Sequence, residues 1–530
     1  MKNILLALIC FSLFGCIKDD GHYDYQPVRK LDVENISLSI PLAEGEQIVL
    51  TPKVIKKYDK TKTPIENVKF EWSINHKVVS NEPSYTFVAK EIGEFQGMLR
   101  MTDPLTQSIS CYTFTITVKT KYASGLLILS EENGKSQLSF IRSKWLYDKV
   151  DTVIYDGEWK NIYATENGGE ELKGLPVSLN EHGVYDSHNT IFGEITIMTQ
   201  EGGKVYVQEL NGETLKRETY IEQEFDGGVV PENFKPIETL QTCYDSFILD
   251  ESGCVYIRRS ATNEAFHTGY FSHKITLWNG QQFSKLMFAK YNSINAILAL
   301  EKDQQTGEQN FVGIMSGYMN DKKNLRRLTL YAADNSVDIN DFNGIKDECI
   351  SSDWCRAING RGQSYQSGIS VLFKSLVGDY ILHYFVLEEA EESSIGVSKS
   401  VKINLTKEKG MSKVNGMCSN KLRNYTYIWD DNTIYALDNT SNRLSAQDIR
   451  TVKTFTKKIV AVADQSIQSR RNKYPTALAV AFEDGTVEIW ELEREEPYKF
   501  RKKLYASENS FGNIKTMLVK AGSSNVFFNM

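Results

Sequence analysis

Between residues 126 and 493 one short unit keeps returning: an apolar strand, a tight polar turn and a second strand. It spans 126–142 around Glu132-Asn133-Gly134, 194–210 around Glu201-Gly202-Gly203, and 246–259 around Glu251-Ser252-Gly253. It recurs at 295–315 with a longer loop, then at 370–387 around Val377-Gly378-Asp379. The last two copies are 425–438 around Asp430-Asp431-Asn432, and 477–493 around Glu483-Asp484-Gly485. Glycine and asparagine at these turns supply the positive φ that tight hairpins require. Seven hairpins, one in roughly every fifty to seventy-five residues, predict a seven-bladed β-propeller over residues 121–530. A last strand over 514–520 would pair with the first unit and leave no bare sheet edge at the seam. Irregular spacing leaves two β-sandwiches in tandem as the competing arrangement.

The run 477–490, Ala-Leu-Ala-Val-Ala-Phe-Glu-Asp-Gly-Thr-Val-Glu-Ile-Trp, resembles the two central strands of a WD40-type blade. Upstream, residues 28–120 show no helical period and alternate short apolar strands with turns. The expected strands are 36–40, 47–54, 69–74, 84–88, 93–101 and 112–119, which suits an immunoglobulin-like sandwich. Phe70-Glu71-Trp72, Gly93-Glu94-Phe95 and Met101-Thr102-Asp103 resemble the PKD-like domains of surface lipoproteins. That resemblance implies that Trp72 packs the core and that the domain acts as a spacer. The fold class is therefore all-β throughout, a PKD-like sandwich followed by a propeller.

A chain of 530 residues is too long for one ordinary core, which agrees with two domains. The formal net charge of -7 provides no basic stripe to neutralise phosphates, so nucleic acid is excluded as a partner. Of eight cysteines, Cys10 lies in the apolar run at the N-terminus and Cys16 at its end; the six that remain are too sparse for a disulfide scaffold. Cys349 and Cys355 are close enough in sequence to bridge, but isolated thiols are the simpler expectation.

The N-terminus gives the address. One charge at Lys2 precedes an apolar run over 4–14, long enough for a signal core and too short to span a bilayer at ~20 residues. Leu13-Phe14-Gly15-Cys16 resembles a bacterial lipobox, which implies lipidation of Cys16 after removal of residues 1–15. Lys18-Asp19-Asp20 resembles the acidic signal that sends some Gram-negative lipoproteins to the outer face of the outer membrane. Residues 16–27 would then be a lipidated tether, held firmly because stable anchoring takes more than one acyl chain.

Chemistry is hard to find in the sequence. The seven histidines form no His-x-His or HExxH set; His182 and His188, like His267 and His273, read as loop residues. Asp430-Asp431-Asn432 and Asp438-Asn439 carry oxygen ligands without the spacing of a calcium loop. Glu170-Glu171 follows Gly168-Gly169 and reads as a solvated turn. Trp145, Trp159, Trp278, Trp354 and Trp429 are expected in blade packing before sugar stacking. With no nucleophile elbow and no phosphate loop, neither catalytic residues nor a metal or cofactor is expected.

The combination of lipobox, PKD-like module and β-repeat body resembles accessory lipoproteins of SusC/SusD-type importers. It implies partnership with a SusC-like TonB-dependent transporter and a SusD-like lipoprotein, and capture of oligopeptides or oligosaccharides outside the cell. The alternative is a propeller hydrolase or lyase acting on the same polymers, its acids drawn from separate blades.

Overall fold

The structure, a computed structural model, describes residues 29–58, 60–146, 152–185, 191–241, 245–259, 270–271, 281–288, 296–315, 326–358, 365–390, 393–420, 423–440, 444–464, 476–494 and 496–520. Contacts divide the chain into two compact units, Met1–Lys121 and Tyr122–Met530.

In the first unit, β1 (Leu31–Val33), β2 (Ser39–Ala43), β3 (Gln47–Leu50) and β4 (Val54–Lys56) are short. They are followed by β5 (Lys69–Ile74), β6 (Lys77–Ser80), β7 (Tyr85–Val88), β8 (Gly93–Thr102) and β9 (Ile109–Lys119). The main sheet has the order β2-β9-β8-β5-β6, with β2 parallel to β9; β3 pairs with β7 and β1 with β4. Along β9 the inward residues Phe114, Ile116 and Val118 are buried while the threonines between them are not, the period-two pattern of a strand with one core face. Trp72 is fully buried among Leu99, Met101 and Ile116, and its indole nitrogen donates to the Glu82 carbonyl at 2.9 Å. The expected strand over 47–54 is broken in two by residues 51–53, which belong to no strand, and β1 and β6 are additional.

The second unit is a β-propeller. Set A joins β10 (Gly125–Glu132), β11 (Lys135–Leu146) and β12 (Thr152–Trp159) to the last strand among the described residues, β36 (Asn513–Lys520). Set B holds β13 (Leu175–Tyr185), β14 (Ile191–Glu201), β15 (Lys204–Asn211) and β16 (Arg217–Tyr220). Set C, three-stranded among the described residues, holds β17 (Pro236–Gln241), β18 (Asp245–Asp250) and β19 (Val255–Arg259). Set D is β20 (Gln282–Phe288), β21 (Ala296–Lys302), β22 (Gln309–Met315) and β23 (Arg326–Ala332). Set E is β24 (Glu348–Ile358), β25 (Tyr365–Lys374), β26 (Tyr380–Ala390) and β27 (Ser394–Asn404). Set F is β28 (Gly416–Ser419), β29 (Tyr425–Trp429), β30 (Thr433–Asp438) and β31 (Ile449–Thr454). Set G is β32 (Ile459–Asp464), β33 (Ala477–Phe482), β34 (Val487–Leu492) and β35 (Phe500–Ala506).

Each hairpin read from the sequence follows the innermost strand of one set, and in every set but C, whose described strands end at β19, it is the middle pair. These middle strands are buried on both faces, which explains why 477–482 reads as an unbroken apolar run. In β10, Leu127 and Leu129 join the core shared with set B, whereas Leu126 and Ile128 join the core shared with set G. Equivalent cores link B to C, C to D, D to E, E to F and F to G, so the described sets form a closed cycle rather than two sandwiches. The cycle is sealed where β36 pairs antiparallel with β10, from Gly125↔Lys520 to Glu131↔Asn513.

Two features depart from a plain ring of four-stranded sheets. The outermost strands of D and E pair in parallel, Thr329↔Ser394 through Ala332↔Val397, fusing the two sets into one eight-stranded sheet. The seam between G and A carries a side-chain clasp as well: Glu158 on β12 accepts from the Tyr505 hydroxyl on β35, from Glu508 N at 2.8 Å and from Asn509 Nδ2 at 3.1 Å.

Candidate functional site

Because each set alternates strand direction, its innermost strand starts at the end where the middle hairpin turns. The strands β36, β13, β17, β20, β24, β28 and β32 lie beside one another in cyclic order and line the propeller axis. The inner edge of such a strand bears backbone amides and carbonyls that no further strand can satisfy. Side chains from the neighbouring set meet some of them. Asn180 on β13 donates through Nδ2 to the Thr239 carbonyl at 3.2 Å and to Thr239 Oγ1 at 2.9 Å. Glu238 on β17 accepts from Leu286 N on β20 at 2.8 Å and binds the Lys285 ammonium through its other oxygen. Asp353 on β24 accepts from Ser419 N on β28 at 2.7 Å and from Trp354 N at 2.9 Å.

The Glu238–Lys285 pair is the most chemically equipped point on this inner wall, with Cys349 of β24 within electrostatic reach of both. Burial works against the Lys285 charge, but the Glu238 carboxylate outweighs it and holds the amine above its ordinary range. Burial pushes the Cys349 thiol up to about 12, against a smaller opposing effect of Lys285. At neutral pH the site therefore presents an ammonium beside a protonated thiol. That set can orient and hold a polar ligand, but Cys349 is not an activated nucleophile, which needs a lowered pKa.

A second thiol, Cys355, is fully buried between sets E and F, donating to Asn424 Oδ1 at 3.1 Å; the Tyr384 hydroxyl reaches the same oxygen at 2.9 Å. Cys111, Cys254, Cys349, Cys355 and Cys418 are all free thiols, so Cys349 and Cys355 do not bridge. Between sets B and C, Arg258 is almost wholly buried. It donates to both Glu209 oxygens at 2.8 Å, to Glu224 Oε2 at 3.1 Å and to Ser246 Oγ at 3.1 Å, with Glu194 Oε2 at 3.7 Å. Burial lowers and the three carboxylates raise its pKa, and the carboxylates prevail. Among the described residues no group of three His, Cys, Asp or Glu could hold a metal ion.

The residues singled out for lipidation and export, Leu13, Phe14, Gly15, Cys16, Lys18, Asp19 and Asp20, lie outside the described residues, as do His188, His267, His273 and Trp278. His182 falls within β13 and not in a loop. Trp159, Trp354 and Trp429 pack into the cores of the sets. Asp430 closes its turn by accepting from Asn432 N and Thr433 N, as a hairpin residue should. Glu170 keeps a part-exposed side chain and is also paired: it binds the Arg217 guanidinium and accepts from the Tyr220 hydroxyl at 2.8 Å. Glu238, Lys285 and Asp353 were missed. Their signal was a charged residue inside the strand that opens a set, visible only once the hairpins are known to follow such a strand.

The PKD-like family model matches residues 16–176. The chain thus carries a PKD-like domain at its N-terminal end, and the match continues past Lys121 through β10–β12. No curated protein matches the sequence. Among solved structures, a quinonprotein alcohol dehydrogenase-like protein from Bacteroides thetaiotaomicron VPI-5482 is similar at 12% identity and a TM-score of 0.39, over 93% of this chain and 100% of its own. The periplasmic gluconolactonase of Pseudomonas aeruginosa aligns at 8% identity and a TM-score of 0.40, over 75% of this chain and 98% of its own. Prp20p of Saccharomyces cerevisiae aligns at 10% and 0.35, over 76% and 86%.

Proposed function

We propose that the protein is an outer-membrane lipoprotein, anchored through Cys16 on the extracellular side, whose propeller captures oligopeptides or oligosaccharides without transforming them. In this reading the seven strand sets are seven blades, and the PKD-like unit is the spacer that carries them. The partners are a SusC-like TonB-dependent transporter and a SusD-like lipoprotein. What supports capture over turnover is the axial wall. Its Lys285, kept as a cation, can hold a polar ligand, while Cys349, kept as a thiol, offers no activated nucleophile. What supports the address is the register of signal core, lipobox and acidic signal over residues 4–20. Among the described residues no helix is long and apolar enough to cross a membrane.

Calorimetry of the purified protein against peptide and glycan panels, with product analysis of the same mixtures, tests the reading. Binding with intact ligand is expected, weakened in Lys285→Met; cleaved ligand would replace it with the hydrolase or lyase alternative. Metabolic labelling with a fatty acid should mark the native protein but not Cys16→Ser. A native protein recovered from detergent-solubilised outer membranes without a transporter would remove the importer partnership.

A further inference from the structure

At the start of the first unit Arg29 is pinned in place. Its guanidinium donates to both oxygens of the fully buried Asp103, at 2.8 and 2.7 Å, and its carbonyl accepts from Ser108 Oγ at 3.2 Å. Asp103 opens the turn between β8 and β9 and also accepts from Leu105 N at 2.7 Å, so Leu105 sits beside Arg29. On the other flank the Lys30 carbonyl accepts from Lys57 N at 2.7 Å, and Leu31 pairs with Lys56. The turns after β4 and β8 thus border the same two residues, Arg29 and Lys30. Each turn exposes an apolar side chain: Tyr58 is 88% exposed and Leu105 77%. Tyr58 also holds φ at 68°, a left-handed backbone that glycine adopts with less strain. The charge around them is one-sided. Residues 53–62 hold five lysines and one acid, Asp59, which lies outside the described residues. Lys53 and Lys62 are spent on Glu34, at 2.6 and 2.5 Å. Lys30, Lys56, Lys57 and Lys60 are exposed and pair with no carboxylate among the described residues; Lys57 lies over the Tyr58 ring at 5.7 Å. Asp32 on β1 stands opposite Ile55, on the other side of that ribbon from Lys56.

We propose that this end of the PKD-like unit is a membrane-docking surface: Tyr58 and Leu105 enter the headgroup region, and Lys30, Lys56, Lys57 and Lys60 meet lipid phosphates. Two observations favour a bilayer over a protein partner. Cys16 lies only thirteen residues before Arg29, a span of at most about 45 Å, so an acyl group there keeps this end of the unit near lipid. The lysines match anionic headgroups, and a tyrosine and a leucine beside them add the apolar insertion that, with charge, sets interfacial binding. Docked in this way, the spacer has a footing of its own besides the acyl chains. The inference rests on the lipidated reading of Cys16 for its place in the cell, whereas the binding it asserts belongs to the folded unit.

The test uses the mature chain from residue 16 with Cys16→Ser, which carries neither leader nor acyl group, sedimented with vesicles of phosphatidylcholine alone or with about one-third phosphatidylglycerol. Binding to the anionic vesicles should exceed binding to the neutral ones about tenfold or more, and should fall as salt is raised. Each lysine near an anionic surface is worth about fivefold, so Lys56→Gln with Lys57→Gln should weaken binding about twentyfold. Tyr58→Ser with Leu105→Ser should weaken it about tenfold with an unchanged melting curve. Lys77→Gln with Lys90→Gln, exposed toward the Gly93 end of β8, should leave it within about twofold. Fatty-acid labelling decides the Cys16 reading separately: a native protein that takes no label, with these vesicles still bound by the acyl-free chain, would sink that reading and uphold this surface. Absence of binding to the anionic vesicles, equal binding by either of the first two double variants, or tighter binding of poly-L-glutamate would each overturn the proposal.

Discussion

Replacing Arg258 by methionine should be among the most damaging single changes in the propeller. The guanidinium is 3% exposed, and both of its terminal nitrogens are committed to Glu209, with Glu224, Glu194 and Ser246 around them. Methionine fills much of the volume but strips Glu209 of a bidentate partner inside a dry interface. Removing one member of a buried ion pair costs about 3–5 kcal/mol, most of it the charge left behind. At ~2 cal/mol/K of melting entropy per residue, a loss of about 4 kcal/mol lowers the melting temperature of a unit this long by about 5 °C. A pH signature should accompany it. Without the guanidinium, the Glu209 carboxyl is driven upward by burial, and a carboxyl raised in the folded state makes folding less favourable as pH rises through that value. Arg258→Met should therefore recover stability between neutral pH and about pH 5, and adding Glu209→Gln should restore about half of the loss at pH 7. Urea denaturation at several pH values, followed by fluorescence and amide exchange in β14, β15 and β19, measures all three. A variant within about 1 kcal/mol of the parent at pH 7, or one whose deficit does not depend on pH, would show that the guanidinium does not carry the interface.

Other expectations follow from single features. Trp72→Ala empties the sandwich core and should cost that unit about 3–5 kcal/mol, read as an early transition in calorimetry while the propeller transition holds. Glu158→Ala opens the clasp between β12 and β35, and should cost about 1 kcal/mol and speed hydrogen exchange in β36 and β10 ahead of the other sets. His383 is fully buried among Phe311, Phe342 and Phe385, with Ser400 Oγ 2.9 Å from its Nε2; burial, then Lys402, holds its pKa well below the ordinary 6.5. The unfolded chain takes up that proton and the folded one does not, so stability falls as pH drops below 6.5, and His383→Phe should flatten the slope in acid titrations followed by circular dichroism.

The hairpins were legible because their turns are local chemistry. Asn133 and Gly134 sit at φ 55° and 79°, and Gly485 at 78° has no room for a side chain, its missing Cβ lying 2.5 Å from the Gly512 carbonyl. Strand β9 was legible because only one of its faces is buried. What failed was long-range. The pairing of β23 with β27 joins segments more than sixty residues apart and has no pattern of its own in the sequence. Arg258 and its carboxylates sit inside strands that look like any other, and only the third dimension brings Glu209 and Arg258 within 2.8 Å. The opening strands of sets C and D, β17 and β20, are six and seven residues long, and Glu238 and Lys285 interrupt them, so their hydrophobic period is too brief to read. The partner of Glu170 was illegible for a related reason: Gly168-Gly169 signals a turn, but nothing adjacent announces Arg217.

The seam at β36 also sets an order of events during biogenesis. A polypeptide appears from its amino end, so β10 is made nearly four hundred residues before the strand that will lie against it. Until Asn513–Lys520 arrives, Leu126 and Ile128 wait for part of their final packing, and any chaperone guarding the newborn protein must hold an unfinished circle. Loss of the last eight paired residues would thus be felt most sharply at the other extreme of the same domain.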